Sequence, residues 1–275
     1  MFTFKTVENV PFVSGKTFKD VTYGFSTRMG GISDPPRQSL NLALKTDDPV
    51  NVISENWKRF LSAISLSDYP VFYGKQTHKT VVKKVTSANV DKAVSFHDYH
   101  LVKGLYCVGE CDGLWTDEPG VALSVFTADC LPAFLIGQGE HPFVAALHCG
   151  WRGLAAGIIG KALSVISAHI SFLPEDVTLL AGPHIGSCCF ETKDDVADVF
   201  SEINCKSVKP SKDFVGKFFV DLGMIVESSA KDLGISASQV HVCDLCTCCN
   251  ESRFYSYRRA KTADRGSISS VIMMK

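Results

Sequence analysis

Short runs in which apolar and polar residues alternate recur along most of the chain. A two-residue period, rich in β-branched and aromatic residues and bounded by turn residues, is typical of half-buried β-strands. The pattern predicts strands at residues 22–27, 70–75, 80–86, 121–127, 143–148, 177–181, 213–220, 239–243 and 253–257. Strands are therefore expected to be plentiful.

Other segments show the three- and four-residue spacing of amphipathic helices. Ile53, Trp57, Phe60 and Ile64 fall on one helical face of residues 50–66, directly after Asp48-Pro49. The same spacing predicts helices at residues 154–169, 193–201 and 221–233.

The strands predicted at 112–116, 121–127 and 132–136 follow one another too closely for helical crossovers, so the sheet must contain hairpins. We therefore expect a mixed-sheet α/β or α+β fold. Because no internal repeat, low-complexity tract or linker divides the sequence, we interpret residues 1–275 as a single domain.

Composition excludes several classes of protein. With 28 basic and 29 acidic residues the net charge is -1, so no overall attraction to nucleic acid or anionic membrane is expected. No apolar run approaches the roughly 20 residues of a membrane span, and no signal-peptide pattern opens the chain, so we expect a cytoplasmic protein. The 11 cysteines are an odd number and scattered, as expected of free thiols in a reducing compartment.

Three residues that each lie at the end of a predicted strand suggest a metal site. Cys130 in "FTADCLPAFLIG" precedes His148 in "FVAALHCGWRG" by enough chain for one turn and a return strand, and His78 lies in "YGKQTHKT". Two imidazoles and a thiolate suit Zn²⁺, and three protein ligands leave a fourth position open, as in catalytic zinc sites. Two alternatives remain at this point: a core-filling thiol, or a nucleophilic Cys130 with His148 as its base in an amidase or deamidase.

A set of longer motifs adds a family resemblance. "GFSTRMGGIS", "SLNLAL", "QTH", "FTADCLP", "LHCGWRG", "GPHIGSCCFE" and "CT…FYSYRR…DRG" occur in this order between Gly24 and Gly266. Together they resemble the laccase-domain (YfiH-like) family, first called multicopper polyphenol oxidoreductase and now understood as purine nucleoside phosphorylases. The resemblance implies metal ligands at His78, Cys130 and His148. It also implies a single α/β domain with a central mixed sheet layered by helices, a fold also similar to cysteine hydrolases of the cytotoxic-necrotising-factor type.

The resemblance also implies the chemistry. The expected substrates are purine nucleosides (adenosine, inosine, guanosine and methylthioadenosine) and phosphate. Adenosine deaminase activity is expected in addition. A zinc ion in such a site acidifies a bound water, which suits attack on C6 of adenosine.

Further residues receive candidate roles. Asp129 is a candidate proton shuttle or anchor for a ligand imidazole, with a turn cap as the structural alternative. Arg28 and Arg258 are candidates for binding phosphate, because a guanidinium binds it in bidentate fashion. Asn41 and Gln76 are candidates for bonds to ribose or base, or else satisfy backbone groups near strand ends.

Two rival functions are weighed against this hypothesis. A multicopper oxidase needs roughly ten imidazoles in His-x-His pairs, whereas this chain has 8 histidines and no such pair. A copper-dependent polyphenol oxidoreductase is thus poorly supported, although Cu²⁺ stays possible as a single bound ion. A non-catalytic purine-binding module is the other rival. The sequence says nothing about oligomeric state.

Several cysteines lie outside the predicted centre. Strand alternation points Cys149 away from His148, so we expect it to be structural. The segment "HVCDLCTCC" at 241–249 contains a Cys-x-x-Cys spacing, but no second such pair completes a four-ligand site. Its alternation predicts packing rather than a second metal.

Overall fold

The computed structural model describes residues 1–95, 99, 101–260 and 266–275. The strands are β1 (Thr3–Val7), β2 (Val10–Ser14), β3 (Val21–Ser26), β4 (Val71–Lys75), β5 (Val82–Lys84), β6 (Leu105–Glu110), β7 (Gly113–Thr116), β8 (Ala122–Thr127), β9 (Leu131–Gly137), β10 (Phe143–Cys149), β11 (Val177–Ala181), β12 (Glu191–Thr192), β13 (Val208–Pro210), β14 (Phe218–Val220), β15 (Val240–Val242) and β16 (Ile268–Met274). The α-helices are α1 (Val50–Ala63), α2 (Trp151–Ala155), α3 (Ile158–Ser167), α4 (Asp194–Asn204), α5 (Leu222–Asp232) and α6 (Tyr257–Ala260). Short 3-10 helices lie at Ser87–Lys92, Pro174–Asp176, Cys205–Ser207 and Ala237–Gln239.

Among the described residues the strands form two large mixed sheets and one small one. The first has the order β1-β2-β3-β16-β8-β4-β6, the second β15-β11-β9-β10-β7-β5, and the small sheet β12-β14-β13. Most neighbours are antiparallel, but β4 runs parallel to β6 and β8, β5 to β7, and β11 to β15. The predicted mixed α/β class is therefore confirmed, with the mixed sheet doubled.

The two large sheets pack face to face. Alternate residues of β9 show this: Phe134 and Ile136 join a buried cluster with Phe25 of β3 and Ile272 of β16, whereas Leu135 belongs to the cluster under α3 and α5. The alternation that predicted strands thus separates two cores. A third cluster buries the apolar face of α1 against the outer face of the first sheet.

The helices form for local reasons. In α1 the predicted face is buried through Ile53, Trp57 and Phe60, and Pro49 lies just before the first turn. The helix predicted at 154–169 is two helices, α2 and α3, because Gly157 takes a left-handed conformation with φ 74° between them.

Other sequence predictions need correction. The strand predicted at 253–257 is wrong, since this segment forms a turn that leads into α6. The alternating pattern of this segment does not reflect one buried face, because the consecutive residues Phe254 and Tyr255 are both buried in the core between the sheets. The strand predicted at 213–220 is limited to β14. Six strands were not predicted: β1, β2, β6, β12, β13 and β16.

Asp264 and Arg265 of the "DRG" motif lie outside the described residues. In the part of the chain that the structure describes, no helix is both long and apolar enough to traverse a bilayer.

Candidate metal centre

His78 is held by a loop that wraps around one buried carboxylate. The loop follows β4, and His78 itself has a positive φ of 60°. The backbone N–H groups of Thr77, His78 and Lys79 donate to the Asp112 carboxylate at 3.1, 2.8 and 2.9 Å. These three bonds offset the cost of the left-handed residue and fix the position of the exposed imidazole.

His148 is fixed by the same carboxylate. It is buried in β10, and its Nδ1 lies 2.8 Å from Oδ1 of Asp112. Burial alone would raise the pKa of Asp112, but the hydrogen bonds from His148 and from the N–H of Lys79 outweigh burial and lower it. An ionised carboxylate only accepts, so Nδ1 carries the proton and Nε2 remains available as a ligand.

Cys130 completes the set from the turn between β8 and β9. Its Sγ lies 4.0 Å from Nε2 of His78, and the two rings of His78 and His148 are edge-to-face at 4.8 Å. One ligand atom from each residue lies within 4.8 Å of the others. Donors about 2.0–2.3 Å from a shared zinc ion lie about 3.3–3.8 Å apart, so small side-chain adjustments suffice. The residues fit a metal ion.

Gly150 makes this convergence possible. A Cβ atom at this position would lie 2.9 Å from Cδ2 of His78, 3.4 Å from Cε1 of His148 and 3.5 Å from Sγ of Cys130. The backbone after β10 therefore passes directly against all three side chains, which only a residue without a side chain permits.

The three groups also shift one another's protonation. Burial alone would raise the pKa of Cys130, but the charge and hydrogen bonds of His148 and His78 lower it to about 6. Burial alone would lower the pKa of His148, but the Cys130 thiolate and Asp112 raise it to about 9. Without a metal, the pair is therefore a thiolate beside an imidazolium at neutral pH. A thiolate is what both a metal ligand and a nucleophile require.

The three side chains lie in the wall of an open cavity of about 700 Å³. This volume lies within the usual range for small-molecule sites. Aromatic side chains line it, including Phe126, Trp151, Phe190 and Tyr257, and so do the cationic residues Lys45, Arg152 and Arg258. The metal centre and a space large enough for a nucleoside thus adjoin.

Asp129 and Arg258 both line this cavity, as expected of site residues. The Asp129 carboxylate accepts hydrogen bonds from Thr247 Oγ1 at 2.7 Å, Ser256 Oγ at 2.9 Å and the Arg258 N–H at 2.6 Å. These partners make Asp129 an organiser of the 247–258 segment rather than an anchor for a ligand imidazole, a position that Asp112 holds. The Arg258 guanidinium donates to the carbonyls of Cys189 and Glu191, both at 2.9 Å.

Of the remaining predicted residues, Gln76 lines the cavity, while Arg28 and Asn41 are not among its lining residues. The Gln76 amide bonds the backbone of Phe126 in both directions. Arg28 donates to the carbonyls of Gln38 and Glu251 and stacks on Tyr255. Asn41 is fully buried and bonds Asp48, Thr46 and backbone N–H groups. The geometry gives the predicted substrate roles of Arg28 and Asn41 no support.

Sequence reasoning missed Asp112, Gly150, Lys45 and Arg152. A signal existed for Asp112, because a lone aspartate between apolar residues in "YCVGECDGLW" is usually buried with a partner. Gly150 and Arg152 lie within the quoted "LHCGWRG" motif, but their roles depend on contacts made across space. The prediction that Cys149 faces away from His148 is confirmed, because Cys149 belongs to the cluster under α3.

Fold and site together define a mixed α/β protein with a two-histidine, one-cysteine centre beside a nucleoside-sized cavity. Residues 22–275 match the model of the family described as multi-copper polyphenol oxidoreductase laccase. The chain belongs to this family. It is 31% identical over 247 residues to the purine nucleoside phosphorylase YfiH of Escherichia coli strain K12, covering 90% of this chain and 92% of that protein.

Another relative and two solved structures are also similar over nearly the whole chain. The purine nucleoside phosphorylase YlmD of Geobacillus stearothermophilus is 29% identical, covering 91% of this chain and 88% of that protein. The crystal structure of the hypothetical protein YfiH of Bacillus licheniformis superposes with a TM-score of 0.85 at 28% identity, with 99% of both chains covered. That of the G. stearothermophilus YlmD gives 0.82 at 26% identity, covering 99% of this chain and 98% of that one.

Proposed function

We propose that this protein is a metal-dependent purine nucleoside phosphorylase. The observation that carries the proposal is the convergence of His78, Cys130 and His148 in the wall of the large cavity. Relatives named purine nucleoside phosphorylase along nearly the whole chain support the reaction type. The substrates are adenosine, inosine, guanosine or methylthioadenosine, together with phosphate.

We assign Zn²⁺ to the three ligands. Neutral imidazoles and a thiolate suit a borderline-soft ion, and copper would fit the same donors as a single adventitious ion. When bound, zinc with an open position supplies a Lewis acid beside the substrate. Asp112 keeps the Nδ1 proton of His148 in place, so that the imidazole remains oriented for binding.

The cavity walls suit the two substrates. Phe126, Trp151, Phe190 and Tyr257 present aromatic surface to a flat purine. Arg152, whose guanidinium lies 4.2 Å from the Trp151 ring centroid, and Lys45 present positive charge to phosphate. Arg258 uses two N–H groups for the carbonyls of Cys189 and Glu191, and the others remain available for an anion.

Phosphorolysis then proceeds by substitution at the ribose. A phosphate oxygen forms a bond to C1′ while the bond from C1′ to the purine nitrogen breaks. The bonding electrons leave with the purine, and the purine nitrogen takes up a proton equivalent to the one that hydrogen phosphate loses. The products are free base and ribose 1-phosphate. The cations hold the phosphate close to the oxocarbenium-like sugar, which lowers the entropic cost of the encounter. Asp129 positions Arg258 because its carboxylate accepts a hydrogen bond from the backbone N–H of Arg258.

Adenosine deamination is a second reaction proposed for this site. Water replaces the amino group at C6, giving inosine and ammonia. The same cavity and ligand set serve it, so the two reactions differ in whether phosphate is consumed.

Incubation with each nucleoside, with and without phosphate, tests both reactions. We expect free base and ribose 1-phosphate only when phosphate is present, and inosine and ammonia from adenosine without it. Equal base release with and without phosphate would contradict phosphorolysis. Nucleoside binding with no product would make the protein a binding module.

A thiol hydrolase is the second candidate, favoured by the thiolate–imidazolium pair of Cys130 and His148. His78→Ala separates the two, because it removes a metal ligand and leaves Cys130, His148 and Asp112 intact. We expect loss of both metal and phosphorolysis in His78→Ala, while His141→Ala, an exposed control, stays active. A metal-free His78→Ala protein with full activity that iodoacetamide abolishes would establish the thiol mechanism.

A further inference from the structure

Four cysteines from two segments that are distant in sequence lie together, two of them at the end of the 182–190 loop. Cys188 and Cys189 come from "GSCCFE", and Cys246 and Cys249 from "CTCC". The four sulfurs all lie within 4.8 Å of one another. Sγ of Cys249 is 3.4 Å from that of Cys188 and 3.3 Å from that of Cys189. The adjacent pair at 188 and 189 therefore supplies the two further thiols that the sequence analysis of the 241–249 segment did not find.

The sulfur spacing matches a shared ion. Four sulfurs at about 2.3 Å from a tetrahedral zinc are separated by about 3.8 Å. A disulfide needs about 2.05 Å, and all four thiols are free here. Thiols that merely fill a core are not gathered in fours at the surface, where Cys188 and Cys249 are exposed.

The backbone is arranged to accept a thiolate at Cys246. The N–H of Gly186 donates to Sγ of Cys246 at 3.2 Å, and the N–H of Cys249 donates to it at 3.5 Å. The second bond closes a tight turn from residue 246 to residue 249, which brings both sulfurs of the Cys-x-x-Cys spacing to one side. Ordered N–H donors to sulfur are typical of metal-bound thiolates.

We propose that Cys188, Cys189, Cys246 and Cys249 form a closed structural zinc site, separate from the centre at His78, Cys130 and His148. Four thiolate ligands fill the tetrahedral shell and leave no open position, as in structural rather than catalytic zinc sites. The two sites share no ligand.

This site ties the 182–190 loop, which lines the cavity through Ile185 and Phe190, to the segment that carries Thr247. The N–H of Ile185 donates to the carbonyl of Asp129, and Thr247 donates to the Asp129 carboxylate. On the other side, Arg258 donates to the carbonyl of Cys189. An ion joining these segments therefore holds the turn that carries Cys130 and the arginine proposed for phosphate. Its loss should loosen the wall and raise the KM for phosphate more than it lowers kcat.

Metal stoichiometry of the purified full-length protein tests the proposal. Cys249→Ser and Cys188→Ser change exposed side chains, so folding should survive, and Cys205→Ser is the matched exposed control outside both sites. We expect each cluster variant to contain about one equivalent of zinc less than wild type, whatever the other centre binds. The Cys205→Ser variant should match wild type.

Cobalt substitution supplies an independent readout. Because this site supplies four thiolates and the centre at His78, Cys130 and His148 only one, most of the thiolate-to-metal absorption of the Co²⁺-loaded wild type should come from this site. Cys249→Ser should lose most of that intensity, whereas His78→Ala should retain it. Equal zinc content in wild type and Cys249→Ser would overturn the proposal. So would iron in place of zinc, or denatured wild-type protein with fewer than 11 titratable thiols until reductant is added.

Discussion

One buried carboxylate, Asp112, controls the geometry of the metal centre. It accepts hydrogen bonds from Nδ1–H of His148 and from three backbone N–H groups around His78. The two imidazoles come from elements distant in sequence. Asp112 fixes the orientation of the His148 ring and the conformation of the loop that carries His78.

Asp112→Asn should weaken metal binding about 10- to 100-fold. The amide keeps one accepting oxygen but turns its NH₂ group towards the N–H donors of Thr77 and Lys79, so donors face donors. Competition with a chromophoric chelator measures the change. Asp117→Asn, which removes only a half-exposed ion pair with Lys84, is the control and should bind metal like wild type. Unchanged affinity in Asp112→Asn would refute the assigned role.

At this scale the sequence predicted the three residues that the structure brings together, and it missed the residue that holds two of them in place. His78, Cys130 and His148 carry recognisable chemistry at strand ends, and their family motif adds weight. Asp112 is 34 residues from His78 and 36 from His148 in sequence, and only folding reveals their bonds. Asn41 is the opposite case. Its amide has the groups to bind a ligand, but in the structure it bonds Asp48, Thr46 and backbone N–H groups.

Apart from His148, which lies near the end of β10, the candidate centre is formed at junctions between strands, loops and helices. His78 follows β4, Cys130 lies between β8 and β9, and Gly150 lies between β10 and α2. The strands were predictable because alternation reports burial on one face. Junction geometry was not, since left-handed residues such as His78 and Asp129 are held by tertiary hydrogen bonds and not by local preference.

Gly150→Ala should preserve the fold and disturb the centre. The new methyl group meets the His78 ring at 2.9 Å, and a displacement of the order of 1 Å costs about 100-fold in activity. Metal analysis and kcat/KM at saturating zinc measure the effect. In Gly160→Ala the methyl group meets only the flexible end of Leu233, at 3.2 Å, so metal content and activity should be unchanged. A fully active Gly150→Ala protein would disprove the tight packing.

For the molecule as a whole, periodicity showed which residues are buried but not which sheet covers them. Strand β16 lies between β3 and β8, so Val271 pairs with Gly24 and Ser124. Sequence alternation carries no information on such distant pairing, which explains why one layered sheet was expected and two stacked sheets were found.

Acid should destabilise the fold through Asp48. Burial alone would raise its pKa, but hydrogen bonds from Asn41, Arg37 and Ser33 and the charge of Arg37 lower it. Because the folded pKa is below the unfolded value near 4, this stabilisation is present above about pH 4 and is lost as pH falls through the folded pKa.

Asp48→Asn should therefore be less stable than wild type at neutral pH by about 1–3 kcal/mol, with the gap closing as pH falls below about 4. Urea denaturation at several pH values measures it. Exposed Asp68→Asn should follow the wild-type profile. If the difference in unfolding free energy between Asp48→Asn and wild type stayed the same in acid, ionised Asp48 would not be the cause of the acid destabilisation.

The metal centre spans the two large sheets. His78 follows a strand of the first sheet, His148 belongs to a strand of the second, and Cys130 lies where the chain crosses from one to the other. An ion held by all three is therefore thermodynamically linked to sheet association, and only the folded chain presents its ligands together. By mass action, free metal at a hundredfold excess over the dissociation constant adds about 2.7 kcal/mol to the unfolding free energy. The proposed ion would thus make the fraction of folded chain depend on the free metal concentration.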